Sequence, residues 1–145
     1  MTYESHILLV EDCPAYARLV AAALAQVREP NHLTRAATGE RAMELLSDRE
    51  RFSRRNPDLI LLDVNLPGQD GFEVLSRIKS NAIYRTIPVV MLSSSPDDLV
   101  MRRAYDLNAN AFVQKSDSQE ETIDALDTIC HMWLYVAVRP ASSQK

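Results

Sequence analysis

Cysteine is scarce in this chain. Cys13 and Cys130 are the two in 145 residues, too few for a disulfide framework and without metal-ligand spacing. Free thiols in a reducing compartment are the simplest reading, so a cytoplasmic location is expected. Long apolar runs are missing too: none reaches the roughly 18 residues that a membrane span requires, and no membrane association is expected. The opening Met1-Thr2-Tyr3-Glu4-Ser5-His6 is too polar for a signal peptide. Positive charge is not in excess, because 16 Lys and Arg face 20 Asp and Glu for a net charge of −4. That balance argues against a nucleic-acid surface, which needs a basic stripe, and no direct DNA binding is expected. There is no internal repeat and no low-complexity stretch. What is present, 46% hydrophobic and 25% charged residues, is ordinary globular usage in a length that suits one domain with its own core.

The chain is organised around Leu59-Ile60-Leu61-Leu62, an apolar run leading straight into Asp63 and fenced by Pro57 before and Pro67-Gly68 after. Such a run suits a strand buried on both faces, as in a parallel sheet covered by helices. Ile7-Leu8-Leu9-Val10 is a second run of this kind, ending in Glu11-Asp12, and Pro88-Val89-Val90-Met91-Leu92 is a third, ending in Ser93. His32-Leu33-Thr34-Arg35-Ala36 reads as a weak edge strand. Ala111-Phe112-Val113-Gln114-Lys115 reads as the last strand. Between them, apolar residues at helical spacing predict five helices: 14 to about 28, one after Thr38-Gly39, one from Gly71, one after Pro96 with Leu99, Val100, Ala104 and Leu107 on its apolar face, and one from about Ser118. The polar segment 47–57, with four arginines, reads as a solvated extension and loop, with a partner-facing insert through Arg54 and Arg55 as the alternative. Alternating strands and helices predict an α/β fold. The sheet is doubly wound, parallel and five-stranded, in order 2-1-3-4-5, with strands one and three adjacent at the switch point.

In that topology the strand ends share one edge, and the chemistry collects there. Strand one delivers Glu11 and Asp12, strand three Asp63, strand four Ser93 and strand five Lys115. Taken singly, an Asp is a helix cap and a Ser fills a turn. As a set, three acids side by side repel one another unless cations intervene. Lys115 supplies one charge, and Mg²⁺, which takes carboxylate oxygens and keeps waters, supplies the rest. A carboxylate in such a place is equipped to accept a phosphoryl group. The expected roles are attack by Asp63, metal binding by Glu11, Asp12, Asp63 and the Asn65 main-chain carbonyl, charge pairing by Lys115 and hydroxyl contact by Ser93. Asn65 and Ser95 flank the expected phosphate position.

With Val10-Glu11-Asp12, Asp63-Val64-Asn65-Leu66-Pro67-Gly68-Gln69-Asp70-Gly71, Leu92-Ser93-Ser94 and Phe112-Val113-Gln114-Lys115 in this order, the chain resembles the receiver domains of two-component response regulators over nearly its whole length. The resemblance implies the flavodoxin-like receiver fold and a histidine kinase as phosphoryl donor to Asp63. It also implies a switch pair, Ser93 and Phe112, that alters the surface of the fourth helix, fifth strand and fifth helix. The family usually has a cis proline after the lysine, where this chain has Ser116, so Lys115-Ser116 is either trans with a rebuilt loop or cis and strained. Lys115-Ser116, the polar insert and the late Trp133-Leu134 together are similar to single-domain regulators that partner phytochrome-type kinases.

The fold needs about 130 residues, so residues 1–130 are expected to be the receiver domain and 131–145 a C-terminal extension. Met132-Trp133-Leu134-Tyr135-Val136-Ala137-Val138 is apolar on every side, whereas a surface helix buries one stripe. It either crosses a groove on its own domain or packs on a partner. A homodimer through Trp133, Leu134, Tyr135 and Val136 is the favoured expectation. Two other functions compete. One is a phosphatase of the haloacid-dehalogenase type, which usually needs a second acid where Asn65 stands. The other is a binding module that has lost phosphorylation. In either the regulator or the binding reading the protein is not an enzyme.

Overall fold

The run 59–63 does form a strand buried on both sides. In the computed structural model, which describes residues 4–48, 50–52, 55–95 and 97–136, β3 (Leu59–Asp63) lies at the centre of a five-stranded parallel sheet. It is flanked by β1 (Ser5–Val10) and β4 (Val89–Ser93), with β2 (Asn31–Ala36) and β5 (Ala111–Gln114) at the edges, giving the order β2-β1-β3-β4-β5. Side chains alternate across a strand, and the sheet divides its apolar residues accordingly. Leu8, Val10, Ile60, Leu62, Val89 and Met91 face one core with α2 (Gly39–Ser47), α3 (Gly71–Ser80) and α4 (Asp98–Asp106). Ile7, Leu9, Leu59, Leu61, Val90 and Leu92 face the other, under α1 (Pro14–Leu24) and α5 (Gln119–Cys130). The three central strands therefore read as unbroken apolar runs because each residue has a core to enter.

Three local expectations are corrected and one open alternative is resolved. α1 stops at Leu24 rather than near residue 28: the Asn31 side-chain amide donates to the Leu24 carbonyl at 3.0 Å and to the Glu29 carbonyl at 3.0 Å, taking over the helix end. Within the polar insert, Phe52 is 1% exposed and closes the first core, its ring edge-on to His6 at 6.0 Å; its described neighbours Ser47, Asp48, Glu50 and Arg51 are exposed, so a single aromatic anchors this stretch. Arg54 lies outside the described residues, and Arg55 sits 3.9 Å from Asp58. On α4, Ala104 is buried but Leu99 is 70% exposed. Finally, there is no cis peptide among the described residues, so Lys115-Ser116 is trans.

Beyond Cys130 the helix widens into a π-helical turn, His131–Val136. Trp133 and Leu134 are half-buried against the second core, while Met132 and Tyr135 are 48% and 72% exposed. The apolar segment is thus split between its own domain and solvent. Residues 137–145 of the expected extension lie outside the described residues. At the amino-terminal rim of the sheet, Lys79 at the end of α3 donates to the Arg85 and Ile87 carbonyls and to Asn110 Oδ1. Asn110 Oδ1 also accepts the Val89 N–H. This clasp ties the α3–β4 and α4–β5 loops together, and burial pulls the Lys79 ammonium pKa down to about 8.

Candidate functional site

The opposite, carboxyl-terminal rim gathers the acids. Adjacent parallel strands bring β1 and β3 to the same level, with Val10 in register with Leu62. The residues that follow, Glu11 and Asp63, are therefore neighbours although far apart in the chain. Carboxylate oxygens of Glu11, Asp12 and Asp63 all lie within 4.8 Å of one another. Lys115, one residue past β5, reaches over β4: its Nζ is 2.8 Å from Glu11 Oε1 and 3.2 Å from Asp63 Oδ1. Its own N–H donates to the Ser93 carbonyl at 2.7 Å, which fixes where the side chain starts.

The loop after Asp63 is built to hold that residue still. Gly68 takes a positive φ of 77°, a turn conformation open to glycine. Asp70 and Glu73 form a reciprocal capping box that starts α3. The Gly71 N–H donates to the Val64 carbonyl at 2.8 Å, and a Cβ on Gly71 would fall 2.1 Å from the Asp63 carbonyl oxygen. Helix α3 thus begins pressed against the backbone that carries Asp63, which only a residue without a side chain permits.

Glu11 is fully buried and Asp63 is 3% exposed, whereas Asp12 faces solvent. Burial first, and then the Glu11 charge, push the Asp63 pKa up to about 6, against the pull of Lys115 and the Asn65 N–H. Burial works against the charge on Lys115, but its close contacts with the Glu11 and Asp63 carboxylates and their attraction outweigh that and raise its pKa. Glu11 Oε2 accepts the Cys13 N–H at 3.1 Å; Glu11 Oε1 has the ammonium nearby but no well-aligned hydrogen bond. Three carboxylates against one ammonium leave the cluster net negative. An all-oxygen donor set with an incompletely satisfied buried oxygen fits a hard divalent cation.

The other expected residues take these places. Asn65 is exposed, and its N–H donates to Asp63 Oδ1 at 3.3 Å. Ser93 is fully buried at the end of β4, where its Oγ accepts the Ser95 N–H at 3.0 Å. Phe112, paired with Met91, is half-buried against the first core. Two residues escaped the sequence reading. The Tyr16 ring faces Lys115, with Nζ 4.6 Å from its centroid. Arg35 on β2 donates through Nε to the Glu11 carbonyl at 3.0 Å and through Nη2 to the Asp12 carbonyl at 3.2 Å. Neither has a signature in the sequence; the helical phase that turns Tyr16 toward the end of β1 was the available clue. His6 and His32, which share no sequence spacing, are cross-strand partners with rings stacked at 5.3 Å. No histidine joins a metal-competent cluster among the described residues.

A doubly wound parallel sheet with buried acids, a hydroxyl and a lysine converging on one rim defines the receiver class. The family model described as "Response regulator receiver domain" matches residues 7–127, and the chain belongs to that family. It is a response regulator receiver, a signalling protein, and the match supports that reading over the phosphatase one. Among individual relatives, response regulator Rcp1 of Synechocystis sp. is 36% identical over 137 residues, covering 94% of this chain and 93% of that protein. The probable methanogenesis regulatory protein FilR2 of Methanothrix harundinacea is 38% identical over 128 residues, covering 88% and 83%. The crystal structure of the phosphorylated cyanobacterial phytochrome response regulator RcpA superposes with a TM-score of 0.86 at 38% identity, covering 96% of this chain and all of that one. The Mn²⁺-bound form of Rcp1 gives 0.82 at 36%, covering 94% and 99%.

Proposed function

We propose that Asp63 is the phosphoacceptor for a sensor histidine kinase of the phytochrome type. The observation that carries this is the convergence of Lys115 Nζ on both Glu11 and Asp63 beside a third carboxylate. An Asp63 carboxylate oxygen attacks phosphorus in line. The O–P bond forms as the N–P bond of the phosphohistidine breaks, and the imidazole nitrogen keeps the electron pair and takes up a proton. Lys115 moves its charge from the Asp63 carboxylate to a phosphoryl oxygen, and the Ser93 hydroxyl donates to another. Mg²⁺, when held by Glu11, Asp12, Asp63 and the Asn65 carbonyl, supplies positive charge against the phosphoryl oxygens. A hydroxyl drawn toward the phosphoryl group leaves space behind it, and Phe112 turns inward to fill it, changing the α4–β5–α5 surface. The names of RcpA and of the bacteriophytochrome regulator AtBRR, which superposes at a TM-score of 0.74 and 32% identity, support the choice of kinase.

In this reading residues 1–130 are the receiver and 131–145 a dimerising extension, with Trp133, Leu134, Tyr135 and Val136 in the interface. The exposure of Tyr135 beside a half-buried Trp133 supports a second copy there. The protein acts in the cytoplasm, catalyses no reaction on other substrates and binds no DNA directly. No helix among the described residues is long and apolar enough to cross a membrane. Incubation with candidate kinases and labelled ATP tests the proposal. Wild type should label faster from a phytochrome-type kinase than from unrelated ones, and Asp63→Asn should not label. An unlabelled wild type would instead favour a binding module without phosphorylation. Sedimentation at micromolar concentration with Mg²⁺ and a phosphoryl mimic tests the dimer, which a monomer overturns.

A further inference from the structure

Among the described residues the Lys115 ammonium lies against two acids, Glu11 and Asp63, and against one aromatic ring. The ring is that of Tyr16, in the first turns of α1, and its centroid lies 4.6 Å from Nζ. That distance puts the ammonium over the negative face of the ring, within the range of a cation–π contact. The three groups come from separate elements: Glu11 follows β1, Asp63 ends β3 and Tyr16 rides on α1. Tyr16 is half-buried against the second core, so the ring is held by packing independent of the lysine.

We infer that Tyr16 is a positioning residue for phosphoryl acceptance, its ring face holding the Lys115 ammonium over the pocket. This rests on the phosphoacceptor reading of Asp63. The lysine faces a specific problem. Its side chain is long, it is 17% exposed, and it must exchange the Asp63 carboxylate for a phosphoryl oxygen as the charge moves outward. Two carboxylates alone pull the ammonium down into the acids. A neutral aromatic wall offers attraction from the side without a competing negative charge, and it limits the rotamers the lysine searches. The phenol stays neutral throughout, because burial first, and then the charges of Glu11 and Asp63, push its pKa up to about 12. Charge on the ring itself is therefore not available to the reaction; its face is.

The chemistry separates ring face from hydroxyl and from bulk. With acetyl phosphate and Mg²⁺ as a kinase-free donor, an Asp63 oxygen displaces acetate from phosphorus. Wild type should label and Asp63→Asn should not; failure there sinks the phosphoacceptor reading itself. Given labelling, Tyr16→Phe should keep the wild-type rate, and Tyr16→Leu should slow it by about 3- to 10-fold, the effect of a contact of this class. Phenylalanine analogues at position 16 with increasing ring fluorination keep shape and fold while draining the face of negative charge. Their rates should fall step by step, without loss of the urea midpoint. In a Lys115→Arg background, whose delocalised charge fits the ring differently, the fluorination slope should change. A flat fluorination series, a Tyr16→Phe rate as slow as Tyr16→Leu, or a slope unaltered by Lys115→Arg overturns the assignment.

Discussion

Asp63 carries a conflict that a single isosteric change removes. Its carboxyl is buried beside Glu11, and its pKa stands near 6 where an unfolded chain holds it at 3.8. A carboxyl with a raised folded pKa stabilises the fold fully below its unfolded pKa and loses that contribution as pH rises through the folded one. A gap of about 2 units at about 1.36 kcal/mol each puts the loss near 3 kcal/mol above pH 6. With 4% side-chain exposure, solvent does little to reduce it. Asp63→Asn mimics the protonated acid at every pH. In EDTA at pH 7 the variant should therefore be more stable than wild type by about 2–3 kcal/mol, which is roughly 5–10 °C in Tm for a chain of this size. At pH 4 the advantage should almost vanish. Urea and thermal unfolding of both proteins at the two pH values measure it. An advantage equal at pH 4 and pH 7 would mean packing rather than charge, and a variant weaker than wild type at pH 7 would refute the reasoning outright.

Other consequences are as direct. Lys115→Met leaves two buried carboxylates without their cation and should cost about 3–5 kcal/mol at pH 7 in urea unfolding, recovering on acidification. Gly71→Ala drives a methyl into the Asp63 carbonyl, 2.1 Å away. It should destabilise by about 1–3 kcal/mol or more and slow acetyl phosphate labelling, since the backbone under the acceptor has to move. Asp70→Ala removes the capping box at the start of α3 and should cost about 1 kcal/mol without abolishing labelling.

The fold was legible wherever a residue's surroundings repeat along the chain. Leu59 through Leu62 fill cores on both faces, so the run itself reported its burial, and the acids after it lay at the rim that parallel topology dictates. The trouble came where one contact between distant segments outweighs local pattern. Asn31 ends α1 from across a loop, and nothing within the helix announces it. Phe52 enters the core from a polar segment. His6 and His32 meet only through strand pairing, at a separation no motif encodes. Leu99 keeps helical spacing yet stays in water, because α4 buries little more than Ala104. In the site, the charged residues were visible because their chemistry is unusual at strand ends; Tyr16 and Arg35 were not, since an aromatic on a helix and an arginine on an edge strand are commonplace.

The Lys79 clasp bears on how α4 can travel. It grips Asn110 just beyond the helix's last turn and welds that end to the neighbouring loop, whereas the leading end is held locally, Asp97 accepting the Leu99 N–H. A rod of nine residues pinned at its tail is a lever about 13 Å long, and a 10° swing carries its tip about 2 Å. Leu99, near that tip and bare to solvent, would sweep farthest, while Tyr105 beside the pivot would scarcely stir.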